Sequence, residues 1–163
     1  LLLRFGDPAP GPAPDGMRVV PTPQRWASLP SWEWHRAGVG PNRSGTVVRA
    51  ARLARQLEDV ANRSGHEVES RLRTVPGIGA WTAAEVRQRA LGDPDAVSVG
   101  DFHLPRLVAY NLAGEERADD DRMLELLEPY SGQRYRACLL LARVGSLPPR
   151  RAPRLPVRDF RRI

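Results

Sequence analysis

The stretch Leu72-Arg73-Thr74-Val75-Pro76-Gly77-Ile78-Gly79-Ala80-Trp81-Thr82-Ala83 decides how the rest of this chain is read. Gly77 and Gly79 bracket one apolar residue between two segments of helical pattern. Glycine allows the positive φ angles of a tight corner and lets another backbone or a phosphate come close. The helix starting at Ala80 points its unpaired N–H groups at the same corner, which makes an anion site without base preference. Ile78 is placed to plug the space between the two helices. A bare glycine-x-glycine would suit any corner of a helical bundle, whereas leucine, small apolar residue, Pro-Gly-Ile-Gly and Thr-Ala form a narrower pattern.

Outward from that corner the chain reads as helices throughout. Upstream, His66 to Val75 carries Val68 and Leu72 one turn apart, and a longer helix is expected from Asn42 to Ala61, closed by Gly65. Thr22 and Pro23 read as N-cap and first residue of a short helix through Leu29, and Ser31 as the cap of another to Ala37. Residues 7–23 hold so many prolines and glycines that an extended connector is expected there. Downstream, Ala80 to Leu91 is helical and Val97-Ser98-Val99-Gly100 is a short apolar approach to Asp101. Helices then follow at Phe102–Leu112, Asp119–Leu127 and Gln133–Val144. Asp119, Asp120 and Asp121 suit a solvated helix start better than a metal site. No strand and no repeat is evident, so the fold class is all-α.

The domain reading is an end of a helix plus connector at 1–20, a helical body at 21–147, and an arginine- and proline-rich tail at 148–163. Leu1 is not a methionine, and the run Leu1-Leu2-Leu3-Arg4-Phe5 reads as the close of a helix begun earlier, so an N-terminally truncated domain is expected. That run is too short to cross a bilayer. With 163 residues, a formal charge of +6 and a sequence pI near 10.8, the expected partner is anionic, and nucleic acid is favoured over a membrane surface. Every one of the 25 basic residues is arginine, so no side-chain amine can form a Schiff base. The lone Cys138 excludes an internal disulfide and any four-cysteine zinc or iron–sulfur site, and side chains suggest no metal centre.

With these residues in view, Pro76–Ala83 resembles the hairpin of the helix-hairpin-helix DNA glycosylase superfamily. Val99-Gly100-Asp101-Phe102-His103 resembles the loop bearing that family's catalytic aspartate. The nearest likeness is to the DNA-3-methyladenine glycosylase II group, in which tryptophan follows the hairpin, and it extends from about Pro21 to Phe160. The resemblance implies a helix-hairpin-helix glycosylase fold with Asp101 catalytic. It gives Pro76, Gly77, Ile78, Gly79 and Thr82 to the DNA backbone, Trp81, Phe102 and Gln133 to the base pocket, and His103 to a supporting role. Tyr130 is a further wall candidate, and Trp26, Trp32 and Trp34 are read as core anchors.

A carboxylate beside the sugar would stabilise the positive charge that develops as a base departs. By position alone Asp101 could equally be an N-cap. Strand-cutting members use a lysine where Trp81 stands, so the implied enzyme is a monofunctional glycosylase of base excision repair, without lyase activity and without an iron–sulfur cluster. The implied partner is double-stranded DNA with a damaged, alkylated purine, bound by a cytoplasmic, nucleoid-associated monomer. The implied cofactor list is empty save for a monovalent cation on the hairpin backbone. Glu85 and Gln133 stand where aromatics are expected, which leaves the preferred lesion open. A non-catalytic helix-hairpin-helix DNA-binding module is the alternative.

Overall fold

The computed structural model describes residues 1–146, so the tail expected at 148–163 lies outside the described residues. Within 1–146 the chain is helical, with one isolated antiparallel bridge, Pro8 to Arg18, and no strand. Among the described residues no helix is long and apolar enough to cross a membrane. The chain divides into two compact units, one built from residues 1–59 with 75–77, the other from 60–74 and 78–146.

In the first unit α1 (Leu2–Phe5) leads into a proline-rich segment that is not merely extended. Ala9 N–H donates to Met17 and Val19 N–H to Asp7, which folds 7–19 back on itself around Gly11 and Gly16, both at positive φ. α2 (Pro23–Ser28) starts as read: the Thr22 hydroxyl accepts from Arg25 N–H at 3.3 Å, with Pro23 first in the helix. α3 (Ser31–Arg36) begins one residue earlier than expected, after Pro30, so Ser31 is its first residue and not its cap. Trp34 is buried and stacks, tilted, on Trp26 at 5.3 Å, as core anchors should; Trp32 is 64 % exposed.

The long helix expected over 42–61 is two helices, α4 (Pro41–Arg52) and α5 (Ala54–Glu58). At Leu53 the N–H is shared between the carbonyls of Arg49 and Ala50, a tightened turn that interrupts the α-helical ladder. Arg49, Arg52 and Arg55 repeat a positive charge at each turn across this break, which weakens a continuous helix. α2 and α3 both pack on α4.

The second unit opens on α6 (Gly65–Arg73), whose cap is Ser64. Ser64 Oγ accepts from Glu67 N–H, and the Glu67 carboxylate accepts from Ser64 N–H in return, a reciprocal capping box. Gly65 therefore begins a helix instead of closing one. A Cβ there would lie 2.6 Å from Arg87 Nη2 and from Asp93 Oδ2, so glycine is needed for the approach of this helix to the Arg87–Asp93 pair. α7 (Ala80–Ala90) packs on α6 through the buried Ala83 and Ala84. After an extended stretch come α8 (Leu104–Ala113), α9 (Asp120–Leu127) and α10 (Arg134–Val144). Their core is Val108, Met123, Leu127 and Cys138, with Val97 and Val99 of the extended stretch packed against it.

Asp95 joins the start of α10 to that stretch: its carboxylate takes the Arg134 guanidinium side-on, through Nε at 2.8 Å and Nη2, and also accepts Arg134 N–H at 3.0 Å. The Arg134 side chain, opposing the cost of burial, lowers the Asp95 carboxyl from 3.8 to about 2. A depressed carboxylate contributes stability that is present above its unfolded value and lost as pH falls through its folded one. At neutral pH the shift corresponds to about 2 kcal/mol. Asp95→Asn is therefore expected to lower the melting temperature at pH 7, with the deficit shrinking between pH 4 and pH 2. A deficit that is constant over that range would show that the ion pair is not its source.

Candidate active site

The corner at Pro76-Gly77 belongs to the first unit and is held by α4. Gly77 has φ +97°, and a Cβ placed on it would come within 2.0 Å of Thr46 Oγ1. Both facts demand glycine. Thr46 in turn donates to Asn42 O at 2.9 Å. Arg49, a residue the sequence reading passed over, donates from Nε to Pro76 O at 3.0 Å and from Nη2 to Thr46 Oγ1 at 3.1 Å. Val75 is entirely buried, whereas Ile78, expected to plug the space between the helices, is only partly buried.

Gly79 behaves differently from its partner. Its φ is −94°, open to any residue, and nothing lies within 4 Å of where a Cβ would stand. It is exposed at the N-cap of α7, ahead of the free N–H groups of Ala80, Trp81 and Thr82. Thr82, one turn in, is half-buried.

The second cluster lies within the second unit and centres on Asp101. Oδ1 accepts from His103 N–H at 2.8 Å and Leu104 N–H at 2.9 Å. α8 starts at Leu104 with His103 as its N-cap, not at Phe102 directly after Asp101, so the carboxylate holds the approach to the helix from two residues further out. Oδ2 accepts the indole N–H of Trp81 at 3.1 Å. Burial pulls the Asp101 carboxyl upward, but the two backbone N–H groups and the indole outweigh it, and the carboxyl sits below its ordinary value. It is an anion at neutral pH.

The loop that delivers Asp101 alternates its faces. Val97 and Val99 pack into the α8–α10 core, while Ser98 turns the other way, toward α7. There the buried Gln88 donates from Nε2 to Ala96 O at 2.8 Å and to Ser98 Oγ at 2.9 Å, and Ser98 donates to Glu85 at 2.6 Å. Ser98 O then accepts Asp101 N–H across a turn in which Gly100 has φ +89°. Asp120, expected to be a solvated acid, accepts Gly100 N–H at 3.0 Å, while Asp119 caps α9. Gln88, Ser98 and Asp120 thus fix the carboxylate without touching it. Gln88 was findable in the sequence as a polar residue on the Ala84 face of α7.

Other candidates stand apart from this cluster. Phe102 is 83 % exposed and meets His103 edge-on at 4.9 Å. Gln133 is exposed at the N-cap of α10 and accepts from Arg136 at 2.9 Å; Tyr130 is exposed as well. Neither Phe102 nor Gln133 is hydrogen-bonded to Trp81 or to the Asp101 carboxylate. Glu85, one turn along α7 from Trp81, is committed to Ser98 and to an ion pair with Arg89 at 2.7 Å. Among the described residues no group of three or more His, Cys, Asp or Glu could hold a metal ion.

The described residues, helical apart from one isolated bridge, have the fold of a DNA glycosylase. The crystal structure of a DNA-3-methyladenine glycosidase from Bacillus halodurans superimposes with a TM-score of 0.63 at 21 % identity. The match covers 77 % of this chain and 60 % of that one, so the chain spans less than two thirds of the glycosidase. No protein-family model matches the chain, and no curated protein does.

The two glycines separate by experiment. Gly77→Ala is expected to destabilise the chain by about 1–3 kcal/mol through its φ and the Thr46 contact. Gly79→Ala should stay within about 0.5 kcal/mol of the parent, as an exposed site with free space allows. Urea unfolding of both variants measures the difference, and equal losses would contradict the assignment of the corner to Gly77 alone.

Proposed function

We propose that the chain is the catalytic part of a monofunctional DNA glycosylase that hydrolyses the N-glycosidic bond of a damaged, alkylated purine in duplex DNA. The reading is carried by one observation: the ionised Asp101 carboxylate, oriented by the first turn of the very helix that follows the glycine corner. The fold shared with a DNA-3-methyladenine glycosidase supports it.

Asp101 would act on charge. As the C1′–N bond lengthens, the electron pair leaves with the base and positive charge gathers on the deoxyribose, where a fixed anion stabilises it. A water then bonds to C1′, its proton passing to the carboxylate or to solvent, and an abasic sugar remains. Oδ2 keeps a lone pair beyond its bond to Trp81, so it can orient that water. The base has to leave the helix stack to be reached. Trp81 would receive it: its N–H is tied to Asp101, its ring is partly open, and an electron-rich face favours a base made cationic by alkylation. Phe102, Gln133 and His103 would line or support this pocket, and Pro76 to Gly79 with Thr82 would hold the sugar–phosphate backbone, with a monovalent cation on the hairpin carbonyls. With no lysine in the sequence the product strand stays uncut by amine chemistry.

Two variants test the proposal. Asp101→Asn should abolish release of alkylated bases, read by chromatography, while duplex affinity stays within a few-fold of the parent. Absence of release from both proteins would leave a DNA-binding module as the better description. Trp81→Phe removes one of the bonds that lower the Asp101 carboxyl. The acid limb of the pH–rate profile should therefore move to higher pH, and an unmoved limb would remove Trp81 from the charge arrangement.

A further inference from the structure

The arginine braced against the glycine corner carries a charge that no carboxylate among the described residues balances. Arg49 gives Nε to Pro76 O and Nη2 to Thr46 Oγ1, both neutral acceptors, and among the described residues it forms no ion pair. Among the described residues two of its five guanidinium N–H groups are used and three remain, on a side chain that is half-buried and not enclosed. Other arginines of the chain are matched to acids: Arg87 to Glu69 and Asp93, Arg122 to Glu115 and Glu125, Arg134 to Asp95.

The surrounding sequence gives way to this one side chain. Gly45 lies in the interior of α4, where glycine weakens a helix. A Cβ there would stand 3.1 Å from Arg49 Nη1, so the missing side chain is the room in which the guanidinium lies. The two hydrogen bonds to Pro76 O and Thr46 Oγ1 give the guanidinium its direction before any ligand arrives. A planar, fixed cation with free N–H donors is suited to phosphate oxygens, which it can meet in pairs.

We infer that Arg49 binds a backbone phosphate of duplex DNA at the Pro76-Gly77 corner, adding a charged contact to a turn otherwise read as gripping DNA through backbone N–H groups alone. The inference rests on the DNA reading proposed above and deepens it. The contact is to phosphate, so it carries no base preference.

Duplex affinity measured by fluorescence anisotropy between 50 and 200 mM salt tests it, with thermal melting of each variant alongside. The parent should bind with affinity that falls steeply with salt. Arg49→Met should bind more weakly on every sequence, with the slope of log affinity against log salt shallower by about 0.9, the value of one phosphate contact. Arg49→Lys keeps the charge but cannot serve both braces, so its slope should match the parent while its affinity falls. Should Arg49→Met not fold, the lysine variant decides alone: parental affinity in it would overturn the inference. A parental slope in a folded Arg49→Met also overturns it, while the DNA reading stands. A parent that does not bind duplex in a salt-dependent way overturns the DNA reading itself.

Discussion

The buried amide of Gln88 is the constraint on which the Asp101 cluster depends. By donating to both Ala96 O and Ser98 Oγ, it fastens an irregular segment to a regular helix at a depth where an unmade hydrogen bond is costly. The segment cannot slide by one residue. A slip would turn Val97 and Val99 out of the α8–α10 core and bring Ser98 into it, exchanging two satisfied arrangements for two faulty ones. Asp101 inherits its position from that register. Its own bonds, to two N–H groups at the start of α8 and to Trp81, then set direction and charge state. Positioning and ionisation thus have separate sources, a division expected where a carboxylate must be both precise and negative.

Much of this was legible from residue order. The corner at 76–79, the helix after it and the cap at Thr22 all rest on local chemistry that acts within four residues. The errors share a cause as well. The helix expected over 42–61 fails because hydrophobic spacing continues through Leu53 while the hydrogen-bond ladder does not. Gly65 on its own reads as a stop, yet the Ser64–Glu67 capping box, a serine and a glutamate three apart, makes it the first residue of α6. The two hairpin glycines looked alike, yet only Gly77 needs its freedom of φ; the difference comes from Thr46, thirty-one residues away in sequence. Arg49 and Asp120 act across the fold, and nothing in their neighbours along the chain announces it, whereas Gln88 betrays itself only as a polar residue on an apolar face.

The distribution of arginine gives the excess positive charge a structure. Arg87 and Arg134 spend their charge inside ion-paired networks that lock turns to helices. Such pairs leave the surface field nearly unchanged. The net charge of +6 is therefore carried by the arginines left over, and the one braced at the hairpin is among them. A basic isoelectric point alone says only that polyanions are attracted. The bracing at Pro76 says where one such contact would be oriented.

The single thiol of the chain completes the picture from an unexpected side. Cys138 is packed in the α8–α10 core, and burial pushes it up to about 11. At neutral pH roughly one molecule in 10⁴ then carries the thiolate, the form that reacts with electrophiles. Burial and protonation thus act together on this sulfur: it is out of reach of soft electrophiles and almost wholly in its unreactive form.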